Sequence, residues 1–82
     1  MIEGFDFTEH ARYQVQDRAI QLSWIEATLT SPTRLIPMAD VHDNTHYLKQ
    51  IPEFGDRWLR IVVNPSVTPQ RVVTVFFDRR VK

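Results

Sequence analysis

Apolar and polar positions change their period once along this chain, at Ser31-Pro32. Before that point apolar residues recur at helical spacing, and after it they alternate as strands do. Phe5–Phe7 is a short extended lead-in. Thr8 is placed to cap a first helix, with Glu9 in the first turn, where negative charge is favoured. That helix is expected to run to about Asp17 or Arg18, with Ala11 and Val15 on its inward stripe. Ser23 and Glu26 have capping-box spacing and predict a second helix, with Leu22 packing back onto it. Ile25 and Leu29 form its stripe, joined by Trp24 or Thr28, and Ser31-Pro32 ends it.

The remainder reads as strands and turns. Arg34–Met38 is a strand that Pro37 confines to an edge or bulge. A polar turn follows, then a strand over Thr45–Ile51 and the turn segment PEFGD. Arg57–Asn64 and Arg71–Phe77 are strands rich in Val, Ile and Phe, joined by a loop stiffened by Pro65 and Pro69. The expectation is a single α+β domain over residues 1–82, with two N-terminal helices packed on a four-stranded antiparallel meander.

Period two sorts the last hairpin into faces. Leu59, Ile61 and Val63 form one set; Trp58, Arg60 and Val62 form the other. A hairpin centred on its loop pairs Arg60 with Thr74, Trp58 with Phe76 and Val62 with Val72, and directs Val73, Val75 and Phe77 toward the helices. In the 45–51 strand either phase fits the pattern. Tyr47 and Lys49 are expected beside Arg60, with His46 and Leu48 on the reverse side.

Charge adds an asymmetry that the zero net charge conceals. Residues 1–56 carry four basic and nine acidic residues, whereas residues 57–82 carry six basic residues and Asp78 alone as an acid. Eight of the ten basic residues are arginine, the type suited to bidentate phosphate or carboxylate contacts. A basic strand pair of this kind can meet RNA, an acidic partner protein, or the chain's own acidic half. Cysteine is absent, which excludes disulfides and thiolate zinc sites and suits a reducing cytoplasm. The N-terminal residues lack the pattern of a secretory signal, and no apolar run approaches membrane-spanning length.

Chemistry enters with the first helix. His10, Gln14 and Arg18 recur every four residues and share one side. That side sets a proton carrier beside an anion clamp, or is simply a solvated face. A second group, Asp40, His42, Asp43 and His46, has the oxygen and nitrogen donors of a metal site. It also has the composition of an ordinary hairpin turn, and no metal or other cofactor is expected.

The run TEHARYQVQDRAI, a second helix ending in SP, and the strands LRIVV and VVTVF resemble a small bacterial family, the domain of unknown function 4258 family. The resemblance covers roughly residues 8–77. His10, Ala11, Arg18 and Ile20 match its motif, and Gln14 stands where the family usually has its first arginine. Arg60 and Thr74 match its strand positions. The family has been placed near the RelE-like and barnase-like toxin ribonucleases. The resemblance therefore implies a metal-independent endoribonuclease toxin in the cytoplasm, with RNA as substrate and an antitoxin protein as partner.

Cleavage of RNA without a metal needs a base for the 2′-hydroxyl, charge for the phosphorane and an acid for the leaving oxygen. His10 is the candidate proton carrier. Arg18 and Arg60 are candidate phosphate clamps, with Thr74 donating beside Arg60. Tyr47 and Lys49 are candidates for a second charge or proton, and Trp58 for stacking on a base. The structural alternatives are a helix-start His10 bonded to its loop, an Arg18 paired with Asp17 or Glu26, a core Trp58, and a Thr74 chosen for strand propensity. The second class of function is a non-catalytic module that uses the same sheet face to hold a protein partner, a homodimer included. Convergence of His10, Arg18 and Arg60 on one pocket separates the two.

Overall fold

The computed structural model describes residues 2–38 and 44–81. Strand β1 (Phe5–Phe7) leads into helix α1 (Glu9–Asp17), followed by α2 (Leu22–Thr30). Strands β2 (Arg34–Pro37), β3 (Thr45–Ile51), β4 (Arg57–Asn64) and β5 (Gln70–Phe77) complete the chain. A single 3-10 turn, Pro52–Phe54, separates β3 from β4. The architecture is α+β as expected, but the sheet has five strands in the order β1-β5-β4-β3-β2. The lead-in Phe5–Phe7 is the extra strand and pairs parallel to β5, Phe5 with Gln70 and Phe7 with Val72. Three residues carry too short a pattern to announce a strand. Their partner also lies at the opposite end of the chain, beyond any local signal.

Thr8 caps α1, its Oγ1 accepting from the Ala11 backbone N–H at 3.1 Å. The same hydroxyl donates to Val73 O at 3.1 Å and so ties the cap to β5. At the other end Ala19 adopts φ 50°. Ile20 N–H reaches Val15 O and Ala19 N–H reaches Gln16 O, the paired bonds of a Schellman close. Helix α2 begins at Leu22 with Gln21 as its cap, so the Ser23–Glu26 capping box does not form. Its buried stripe is Trp24, Ile25, Thr28 and Leu29. The Thr28 hydroxyl, fully buried, is satisfied by Trp24 O at 2.8 Å.

Both helices cover one face of the sheet, α1 over β5 and α2 over β3 and β4. Leu59, Ile61 and Val63 point into that core together with Val72 and Val75, and all five are fully buried. Val72 occupies the place expected for Val73. A bulge lies between Val62 and Val63: Val62 pairs with Thr74, while Val63 pairs with Val72. At the loop end Asn64 pairs with Arg71, one residue out from a centred hairpin, and the bulge adds a second. Arg60 therefore lies opposite Phe76 rather than Thr74. An even slip preserves faces, so Arg60 and Thr74 remain on the same side of the sheet.

The β3 phase is the reverse of the expected one. Lys49 pairs with Leu59 and Tyr47 with Ile61, which places both on the helix face. Tyr47 packs against the core, edge-on to Phe5 at 6.4 Å. Lys49 Nζ donates to Ser31 O at 2.9 Å, at the carbonyl end of α2, where a cation is favoured. The alternation was ambiguous because β3 buries an apolar residue on each face, Ile51 toward the helices and Leu48 on the other side.

Candidate functional site

The sheet face away from the helices carries two rows of side chains set by strand register. One row is Arg34, Leu48, Arg60 and Phe76; the other is Ile36, His46, Val62 and Thr74. Leu48 and Val62 are buried and give this face an apolar floor of its own. Above the floor is an open cavity of about 550 Å³ whose polar lining is Arg34, His46, Arg60, Asp78 and Arg80.

Arg60 is the hub of that lining. Its Nε donates to Asp78 Oδ2 at 2.8 Å, and its Nη1 lies 2.6 Å from His46 Nδ1. A guanidinium has donors only, so in this contact Nδ1 accepts and the imidazole is neutral there. Asp78, just past β5, is buried and holds two cations at once. Arg80 Nε donates to Oδ1 at 3.0 Å, and the Arg80 backbone N–H donates to Oδ1 at 2.9 Å. These bonds, led by that from the Arg80 side chain, outweigh the opposing effect of burial and lower the Asp78 pKa to about 2. The carboxylate is thus an anchor that stays ionised. One negative charge against three guanidinium groups, Arg34, Arg60 and Arg80, leaves the cavity net positive.

Beside the cavity, Arg34 lies over the Trp58 ring at 4.8 Å from its centroid. Trp58 is half-buried on the Arg60 side of β4, so it is an aromatic wall of the outer face and not core. The contact is a cation–π one and restrains the Arg34 head group.

Of the residues singled out from sequence, Arg60 lines this cavity and Trp58 flanks it. His10 is exposed in the first turn of α1. Arg18 caps the other end of that helix, exposed, with its Nε 3.4 Å from Asp17. It lines a different, smaller cavity with Arg57 and Arg79. His10, Arg18 and Arg60 therefore do not share one pocket. Thr74 donates to Gln14 Oε1, next to α1, and sits diagonal to Arg60 rather than beside it. Tyr47 and Lys49 face the helices. The turn residues Asp40, His42 and Asp43 lie outside the described residues.

The site's other members are Asp78, Arg80 and Arg34, which the sequence reading passed over, and His46, which it assigned to a turn group and to the reverse side of β3. Two signals pointed to them. Asp78 is the lone acid in the basic C-terminal segment, directly before two arginines. His46 follows Arg60's face once β3 takes the phase that buries Ile51 with the core.

Compared with known proteins, the chain matches the family model described as domain of unknown function (DUF4258) over residues 7–77. No curated protein and no solved structure matches it. Among the described residues, no helix is long and apolar enough to cross a membrane.

Proposed function

The chain belongs to the DUF4258 family, and from that premise we propose that its outer sheet face binds and cleaves RNA, as a ribonuclease toxin held by an antitoxin. The observation that carries this reading is the 2.6 Å contact between Arg60 Nη1 and His46 Nδ1 inside the arginine-lined cavity. It joins an imidazole, able to carry a proton, to an anion-binding guanidinium, two of the parts that metal-independent RNA cleavage uses.

In this reading the scissile phosphate docks on Arg60 and Arg80. As Arg60 turns its Nη1 toward the phosphate, His46 Nδ1 is released as a lone pair that takes the 2′-hydroxyl proton. The hydroxyl oxygen attacks phosphorus, and the two guanidinium groups hold the charge of the phosphorane. The imidazolium so formed returns its proton to the leaving 5′-oxygen. The positive charge that assists the step comes from side chains, and Asp78 keeps two of them in place. Trp58, under Arg34, offers a face for a neighbouring base.

The test is cleavage of single-stranded RNA, with growth arrest in a bacterial host as the cellular readout. His46→Ala is expected to abolish cleavage in a folded protein, whereas His10→Ala retains it. Full activity of folded His46→Ala removes the assigned base. Growth arrest relieved by the neighbouring open reading frame supports the toxin assignment.

The binding-module reading is favoured by the separation of His10 and Arg18 from the Arg60 cavity, and by a second observation. β2 is an edge strand, and Leu35 and Ile36 on it, with Met38 just beyond, are exposed. An apolar edge of this kind suits a protein partner. Purified protein that leaves RNA intact but elutes as a stable complex or homodimer supports this alternative.

A further inference from the structure

We propose a second phosphate subsite where Arg18, Arg57 and Arg79 converge on the helix side of the sheet's end, resting on the RNA reading above. The three arginines line a cavity of about 150 Å³, closed below by Phe54 and Phe77. The two rings lie 4.7 Å apart and are backed by Trp24, 5.3 Å from Phe54 and 6.0 Å from Phe77. Arg57 lies over the Phe54 ring at 5.0 Å, so at least one guanidinium is held in place before any ligand arrives. Arg18 is steadied by Asp17. Among the described residues, neither Arg57 nor Arg79 makes an ion pair.

Three guanidinium groups lining one small cavity repel one another. An anion with several oxygens relieves that repulsion and accepts bidentate bonds from their planar forks. Three arginine forks around a hollow of this size match a phosphate group. A third hollow borders both sites. It shares Arg57 and Arg79 with the small cavity and Asp78 with the large one, and Asp56 also lies on its wall. Along β4, Arg57 and Arg60 are separated by about 10 Å at strand rise. A few nucleotides of single strand cover that span. The subsite therefore grips the backbone of a substrate whose scissile phosphate lies on Arg60, and it does so without reading sequence.

The experiment uses the whole chain and a short fluorescent single-stranded RNA whose 2′-O-methyl groups prevent cleavage. Anisotropy is measured across a salt series for wild type, Arg79→Gln and Arg57→Gln/Arg79→Gln. The double variant is expected to bind roughly tenfold more weakly, with a shallower salt slope by about 0.7 for the one lost phosphate contact. Arg79 is exposed, so its single variant guards against loss of fold. Inorganic phosphate is titrated separately, and the Nε–H resonances of Arg18, Arg57 and Arg79 are expected to shift. Unchanged affinity and slope in the double variant, with active RNA cleavage by wild type, overturn the subsite and leave the ribonuclease reading intact. Weakened binding by the double variant, with no cleavage by wild type, upholds the subsite and removes the ribonuclease. If wild type binds no RNA, phosphate shifts at the three arginines uphold the subsite as an anion site, and their absence overturns it.

Discussion

Gln14 in α1 accepts a hydrogen bond at 2.9 Å from the backbone N–H of Val75 in β5. β1 pairs with β5 only as far as Val72, so beyond that point the β5 edge has no strand beside it among the described residues. The Gln14 Oε1 takes the place of a strand carbonyl there and also receives the Thr74 hydroxyl. A helix side chain thus closes a sheet edge that would otherwise leave a polar group unpaired.

Replacing Gln14 by alanine removes the acceptor from two half-buried donors. The expected cost is about 1–2 kcal/mol, read as a lower urea midpoint with an unchanged m-value. Gln14→Glu keeps an oxygen at that place and is expected to lose much less. Gln14→Arg has no acceptor and should resemble alanine. Equal stability of all three variants would show that the Val75 contact contributes nothing.

Ala19 sits at φ 50° in the Schellman close of α1, a conformation that costs a side-chain-bearing residue about 1–2 kcal/mol. Glycine escapes that cost but loses more entropy on folding. Ala19→Gly is therefore expected to raise stability by about 0.5–1 kcal/mol, seen as an upward shift in Tm. Ala19→Val should lower it, since a branched Cβ tolerates this region worst.

These positions also show how far local pattern reaches. The Thr8 cap, both helix stripes, the edge placement of Pro37 and the inward set Leu59, Ile61 and Val63 were all legible, because each depends on residues within a turn or two. The parallel β1–β5 pair was not, since Phe5 and Gln70 lie at opposite ends of the chain. The bulge at Val62–Val63 was hidden because valine suits either face. The site suffered most from the β3 phase: moving His46 rather than Tyr47 to Arg60's side changes the chemistry of the face.

Asp78 predicts the acid limit of the fold. Its pKa falls from an ordinary 3.8 to about 2 in the folded protein, so the unfolded chain takes up a proton first as pH drops. The stabilisation is fully present above pH 4 and is lost as pH falls from about 4 to about 2. Arg80 is largely exposed, and solvent screening reduces its share, so the expected loss is about 1 kcal/mol. Urea midpoints measured across that window should fall for wild type. Asp78→Asn should start lower at neutral pH, because Arg60 and Arg80 lose their counter-charge, and should show a flatter decline.

Arg60 joins the fold to the proposed chemistry, and its geometry separates charge from shape. One guanidinium reaches Asp78 through Nε and His46 through Nη1. A lysine ammonium keeps the charge but presents a single point of donation, so it cannot span both partners in the same way. Arg60→Lys is expected to stay folded with the Asp78 ion pair retained, and to bind RNA within a few-fold of wild type. Its cleavage rate should fall by about 10²-fold or more, because His46 loses the donor that orients its ring until the phosphate docks and the phosphorane loses a bidentate clamp. A single-turnover assay separates the two effects: a fall in rate with little change in binding supports the positioning of His46 by Arg60. Wild-type rates in Arg60→Lys would mean that charge alone suffices, and the 2.6 Å contact would then carry no part of the reaction.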